Sequence, residues 1–370
     1  MHDGSVAIDV AGLQRLLDVL VERGHTVIGP TVRDGAVIHA PISSVAELPS
    51  GARDTQAPGH YRLTQDGDAR LFAFAAAAQS WKPFLMPSRQ PLHSVTSDGT
   101  VTAAEPAPIS YAFLGVRSCD LAAIGVHDRV LLDRQVVDQH YAARRRTAFI
   151  VAITCSHPGG TCFCTSMGTG PSPTQGYDLA MTELLDDAGH RFVFTAGSPD
   201  GEEVLAQLPS REVTTADTAA AAEVVAGSVA VMAPRVLNTD GIRNLLYDNP
   251  DHSRWDDVAS RCLSCTNCTL VCPTCFCVTV DDSTDLLGTT ERSTVWDSCF
   301  TAGHSYLHGG AVHDGTRERY RQWLTHKFAS WIDQFGTSGC TGCGRCVTWC
   351  PAGIDVLEEL QALREPGGEP

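Results

Sequence analysis

Residues 1–250 of this sequence predict a mixed α/β domain, combining α+β and α/β segments, and residues 251–370 predict a mostly helical, ferredoxin-like domain built around two inorganic clusters. Two observations carry this. Cys262, Cys265, Cys268 and Cys272 followed by Pro273, and Cys340, Cys343, Cys346 and Cys350 followed by Pro351, repeat one spacing, C-x2-C-x2-C-x3-C-P. Upstream, residues 111–116, 120–132 and 147–153 read strand, helix, strand, the order of a right-handed parallel crossover. A chain of 370 residues with 43% hydrophobic and 19% charged content suits a soluble protein of two or three domains. The formal charge of −16 argues against nucleic acid or an anionic membrane surface as partner. The longest apolar stretch, residues 71–78, is far short of the ~20 residues a membrane span needs. Met1-His2-Asp3 opens no apolar signal segment, so a cytoplasmic location is expected.

Taken in order, the first helix lies at 9–23, where Leu13, Leu16, Leu17, Leu20 and Val21 recur at helical spacing and Gly24 follows the end. Residues 26–32 and 36–42 form a hairpin about Asp34-Gly35, and 61–64 and 69–74 a second strand pair about Asp66-Gly67-Asp68. Proline and serine across 83–108 predict a loop or surface extension. The crossover comes next. Its parallel strands finish at one edge of the sheet, which brings Cys119, after the first, and Cys155, after the second, to the carboxyl edge where open α/β folds place ligands. Residues 178–235 are alanine-rich and weakly patterned apart from a strand at 191–195, and the polar run Asp248-Asn249-Pro250-Asp251 marks the start of the cysteine-rich domain. Helices are predicted there at 316–335 and 355–364.

In each cysteine run, three cysteines two residues apart lie on a tight loop whose sulfurs converge on three irons of one cube, while the fourth points away. In two-cluster ferredoxins that fourth thiolate serves the other cube. The spacing therefore assigns Cys262, Cys265, Cys268 and Cys350 to one 4Fe-4S cluster, and Cys340, Cys343, Cys346 and Cys272 to a second. The proline after each run turns the chain out of the cluster shell. Zinc is the competing metal, but its usual signature is two C-x2-C pairs separated by a longer stretch. A disulfide framework belongs to small secreted chains, and this chain has 15 cysteines, an odd number.

Cys162 and Cys164, in a loop with glycines at 160, 168 and 170, join Cys119 and Cys155 on converging segments. Two readings of these four thiols stand side by side: ligands of a third 4Fe-4S cluster, or buried free cysteines packed as small hydrophobes. Cys275, Cys277 and Cys299 either line the clusters, exchange as alternative ligands, or are packed thiols, the commonest fate of such residues. His304, His308, His313 and His326 read as structural or surface residues rather than ligands.

No strand-linked G-x-G-x-x-G, Walker loop, nucleophile elbow or H-E-x-x-H is present. A cube passes one electron at a time, whereas a pyridine nucleotide moves a hydride, and conversion needs a flavin or a metal centre that the sequence does not signal. The chain therefore reads as a non-catalytic subunit that relays electrons between partners performing two-electron chemistry. A reading of another class is a self-contained flavin-dependent oxidoreductase using the N-terminal domain; a third is that this domain is an assembly platform only.

Several further motifs accompany the cysteine runs: Gly29-Pro30, Pro58-Gly59-His60-Tyr61-Arg62, Ser80-Trp81-Lys82-Pro83-Phe84, Gly115-Val116-Arg117-Ser118-Cys119-Asp120, residues 161–171, Trp296-Asp297-Ser298-Cys299 and His326-Lys327-Phe328. With them the chain resembles the β subunit of cytoplasmic NiFe hydrogenases of the sulfhydrogenase type, and equally the A subunit of anaerobic sulfite reductase. The resemblance covers nearly the whole chain, and all eight cysteines of the two runs match. It implies an iron–sulfur electron-transfer subunit seated beside a flavin- and NAD(P)-binding reductase subunit. From there electrons would pass toward the hydrogenase small and large subunits, or toward a sulfite reductase catalytic subunit.

Overall fold

Strands Tyr111–Arg117 and Phe149–Ile153 are apolar at almost every position because both faces of the sheet they centre are covered. The computed structural model that shows this describes residues 4–65, 69–107, 109–133 and 135–365. Eight strands lie in the order Arg211–Glu212, Val6–Asp9, Gly189–Ala196, Leu179–Asp186, Phe149–Ile153, Tyr111–Arg117, Thr26–Arg33 and Ala36–Pro41. The centre is parallel, with Phe149–Ile153 between Tyr111–Arg117 and Leu179–Asp186, and Thr26–Arg33 parallel to Tyr111–Arg117; the outer pairs are antiparallel.

On one face, helix Val10–Glu22 buries Leu13, Leu16, Leu17 and Leu20 against Leu114, Val151 and Phe192. Its start is fixed by the Asp9 carboxylate, which accepts the Gly12 N–H at 2.8 Å. The other face takes Leu121 and Ile124 of helix Ser118–Leu131 against Trp81, Phe113 and Ile150. Gly115 interrupts the ladder between these strands: the register slips between Leu114 and Val116, and Gly115 adopts φ +87°. A Cβ there would stand 2.9 Å from the Phe72 ring. The bulge re-aims the residues that follow, Arg117 to Asp120, toward the carboxyl edge.

Three expectations are corrected. Residues 69–74 form no strand, and His60–Gln65 pairs instead with Ala52–Ala57; the expected turn at Asp66-Gly67-Asp68 lies outside the described residues. The backbone of this buried segment is satisfied by charged side chains. Glu183 accepts the Leu71 and Phe72 N–H groups at 2.6 and 3.0 Å, Asp54 accepts that of Ala75 at 2.6 Å, and Arg117 donates to the Phe72 and Phe74 carbonyls. Residues 83–108 are not simply a loop, because Arg89–Val95 and Val101–Ala103 join Val278–Thr284 and Thr290–Trp296 in a four-stranded sheet. The alanine-rich stretch contains helix Thr215–Met232, long and apolar enough by length and composition to cross a bilayer, contrary to the expectation that no such segment exists. One edge of that helix lies on the fold through Asp217, Ser228 and Met232.

The cysteine-rich region is built from helices Arg254–Arg261, Thr316–Thr325, Trp331–Phe335 and Val356–Ala362 together with the hairpin Val278–Thr284/Thr290–Trp296. Its core of Trp255, Tyr320, Trp323, Phe328 and Leu360 also takes Leu237, Ile242 and Leu246 from before residue 250.

Candidate metal centre

Both cysteine runs fold into the same loop. Two and four positions after the first cysteine the backbone turns left-handed, at Ser264 (φ +50°) and Thr266 (φ +67°) in one run and at Gly342 (φ +68°) and Gly344 (φ +74°) in the other. A short helix follows each, Asn267–Leu270 or Arg345–Thr348. The curl turns N–H groups inward: Ser264 donates to Cys262 Sγ and Gly342 to Cys340 Sγ, both at 3.4 Å, and Ile354 donates to Cys350 Sγ at 3.4 Å. The first loop tolerates L-residues in this conformation, at about 1–2 kcal/mol each. The second requires glycine, since a Cβ would lie 2.6 Å from Cys164 Cα at 342 and 2.5 Å from the Thr161 carbonyl oxygen at 344.

One cavity is lined by Cys262, Cys265, Cys268 and Cys350 and walled by Phe300, Tyr320 and Trp323. Another is lined by Cys272, Cys340, Cys343 and Cys346 with Phe163 and Lys327. The fourth cysteine of each run thus lies among the first three of the other, and Cys346 borders both cavities. All fifteen cysteines are free thiols. Among the described residues no three His, Cys, Asp or Glu side chains close on a point as a single ion requires; the sulfurs surround a volume instead. Four thiols, apolar walls and N–H donors to sulfur fit a cubane of four irons, which thiolates hold. Burial pushes Cys268 and Cys346 well above the ordinary thiol range and Cys340 up to about 12. Thiolate ligation of a metal by these cysteines would release those protons. Cys272 goes the other way: a hydrogen bond from the Cys275 thiol, reinforced by the Lys327 ammonium, holds it down against burial.

Cys119 occupies the first turn of helix Ser118–Leu131, and Cys155 lies two residues beyond strand Phe149–Ile153. Cys119, Cys162 and Cys164 share a buried cluster with Met232 and Cys343. Cys164 is pushed up to about 12, by burial first and by neighbouring Cys155 next. Its Sγ is 3.5 Å from Met232 Sδ, and Cys162 Sγ is 3.7 Å from the Cys343 carbonyl oxygen. The loop carrying these thiols is seated on the second cysteine run: Phe163 N–H donates to Gly342 O at 2.8 Å, and the Thr169 hydroxyl to Thr341 O at 2.6 Å.

A 4Fe-4S dicluster domain family matches residues 261–354, the stretch that carries both cysteine runs. Sulfhydrogenase 2 subunit beta from Pyrococcus furiosus is 33% identical over 260 residues, which cover 69% of this chain and 74% of that one. The chain belongs to the sulfhydrogenase β-subunit family. It is an iron–sulfur protein of hydrogenase-related electron transport.

Within this family member, several motifs that the sequence singled out without a role converge on the two cysteine runs. Arg345, fully buried, donates to both carboxylate oxygens of buried Asp120 at 2.7 and 2.9 Å and to Ala77 O at 2.6 Å. Gly59 N–H donates to Val347 O at 3.1 Å, and Tyr61 stacks on Trp349. Thr161 and Thr348 hydroxyls lie 2.6 Å apart, and Thr348 donates to Gln56 Oε1 at 2.9 Å. Lys82 and Lys327, both buried, bracket the chain after Cys272. Sequence reasoning noticed the motifs around these lysines but had no signal for partners 55 and 190 positions away. Of the remaining cysteines, Cys277 sits at the base of the hairpin, where its carbonyl accepts the Asp297 N–H at 2.9 Å. Cys299 is pushed up to about 12 by burial and then by Cys277. His304 lies 3.4 Å from Asp297, and the His326 ring packs on Trp331.

Proposed function

We propose that this chain relays single electrons between a flavin- and NAD(P)-binding reductase subunit and the small and large subunits of a soluble NiFe hydrogenase. Cys262, Cys265, Cys268 and Cys350 hold one 4Fe-4S cluster, Cys272, Cys340, Cys343 and Cys346 a second, and Cys119, Cys155, Cys162 and Cys164 a third. Bound there, each cluster supplies reversible one-electron chemistry. The observation that carries this reading is the interleaving of the two runs, with Cys346 bordering both cavities. The second supporting fact is Cys343, which faces the Cys272 cavity and also belongs to the buried cluster of Cys119, Cys162 and Cys164. The three thiol groups therefore stand in series. Cys265 is exposed and Leu263 is 67% exposed, so the series ends at the surface beside the Cys262 group, where a partner can approach.

Anaerobic purification with iron and acid-labile sulfide analysis tests the reading. About twelve irons per chain are expected, falling by about four in Cys162→Ser and in Cys268→Ser. An unchanged iron content in Cys162→Ser returns that group to packed thiols. Co-purification with a nickel-bearing subunit supports the hydrogenase assignment, whereas co-purification with a sirohaem subunit replaces it with sulfite reduction. Stoichiometric flavin on the isolated chain would overturn the relay.

A further inference from the structure

Two lysines are buried beside the cysteine that joins the first run to the second cavity. Lys327 is 4% exposed and its ammonium meets Cys272 Sγ at 3.1 Å, Thr274 Oγ1 at 3.1 Å and Gly339 O at 3.3 Å. Those contacts occupy all three donors, and only the sulfur among them can carry negative charge. Lys82, 6% exposed, reaches the same loop from the N-terminal region, with its ammonium 3.1 Å from Cys272 O, 3.2 Å from Cys275 O and 4.0 Å from the centre of the Trp296 ring. Carbonyls and an indole face solvate a cation without neutralising it. A buried ammonium that lacks a counter-charge costs several kcal/mol, so this pair of cations calls for an anion in the adjoining cavity. A cubane bearing four thiolates is such an anion, and it gains a further negative charge on reduction.

The backbone is shaped for this contact. Helix Thr316–Thr325 passes through a wide turn at His326–Ser330, a π-type distortion, before resuming as Trp331–Phe335. Such turns break the regular helical spacing and are concentrated at functional sites. Lys327 is the second residue of this one and points into the cavity lined by Cys272, Cys340, Cys343 and Cys346.

We propose that Lys327, backed by Lys82, is a positioning residue that raises the reduction potential of the cluster held at Cys272 above that of its neighbours, making it the station where an electron rests in the relay. This rests on the ligand set proposed above. The physical basis is that hydrogen bonds and positive charge at a ligand sulfur favour the more negative, reduced cluster. Lys327 touches the sulfur itself and carries the larger share; Lys82 touches only the carbonyls behind it.

The test is an EPR-monitored redox titration of the full-length chain, prepared anaerobically, with iron counted on the same samples. In Lys327→Met one cluster is expected to become harder to reduce by at least tenfold, about 59 mV for a one-electron couple, while the others move less. Lys327→Arg keeps the charge and recovers most of the shift, and Lys82→Met gives a smaller shift in the same cluster. Potentials in Lys327→Met that match wild type at equal iron content would overturn the proposal. Loss of about four irons from both Lys327→Met and Lys327→Arg would overturn it too, by making the lysine an assembly residue. A Cys272→Ala chain that retains the wild-type iron content would instead sink the ligand assignment beneath it.

Discussion

At the scale of single residues, environment rather than residue type decides charge. His39 shows this away from the thiols. Its ring lies 4.0 Å from the Trp81 ring, inside the fold, and burial pushes its pKa down to about 3. An unfolded histidine titrates near about 6.5, so between those values the unfolded chain binds a proton that the folded chain refuses. The stability contributed by neutral His39 is complete above about pH 6.5 and is lost as pH falls toward 3, at about 1.4 kcal/mol per unit. His39→Phe, which keeps the ring stack, is expected to have a flatter stability profile than wild type between about pH 6 and pH 4. Urea unfolding of both chains across that range checks it, and parallel profiles would rule it out. Nothing in the sequence distinguishes His39 from an exposed histidine on a hairpin.

At the scale of elements, the two cysteine loops share a backbone but not a composition, and the difference follows from what lies on top of them. Ser264 and Thr266 hold the left-handed positions where the loop is open; Gly342 and Gly344 hold them where the loop of residues 161–170 is seated. Gly344→Ala is expected to destabilise the chain by about 2–4 kcal/mol, from strained backbone plus the collision with the Thr161 carbonyl. Thr266→Gly, at the matching position, is expected to stay within about 1 kcal/mol of wild type. Denaturant midpoints of the two variants make the comparison, and equal losses would refute it. The spacing of the runs was legible because iron ligation imposes it locally. The segment at 69–74 misled because its apolar run resembles a strand, while its partners are Glu183 and Asp54, side chains far away in sequence. Helix Thr215–Met232 was missed for a related reason: its inward edge is Asp217, Ser228 and Met232, which leaves no apolar stripe to read.

At the scale of the whole molecule, the two cysteine runs are where both halves of the chain meet. Arg345 is paired with Asp120 in the N-terminal region, Gly342 and Gly344 lie against residues 161–164, and Lys82 reaches the carbonyls after Cys272. Strands from 89–103 complete a sheet with strands from 278–296. Residues 251–370 expressed alone would lose the Arg345–Asp120 pair, the Phe163–Gly342 hydrogen bond and the strands of 89–103 that complete the hairpin's sheet. That fragment is expected to retain about four irons or fewer after anaerobic reconstitution. A folded fragment holding about eight would show that the cysteine-rich region is self-sufficient.

The sequence by itself determined the iron–sulfur character of the chain, because the C-x2-C-x2-C-x3-C-P spacing of each run is imposed locally, three cysteines to a loop, by cluster ligation. It also determined the parallel crossover and the first helix, whose apolar periodicity is a local record of burial. Only the tertiary structure decided how the clusters' surroundings are built. Lys327 and Lys82 reach Cys272, and Asp120 and the seated loop of residues 161–170 reach the second cysteine run, across separations of 55 to 225 positions. Contacts of that range follow from the packing of whole elements and leave no periodic trace in the chain.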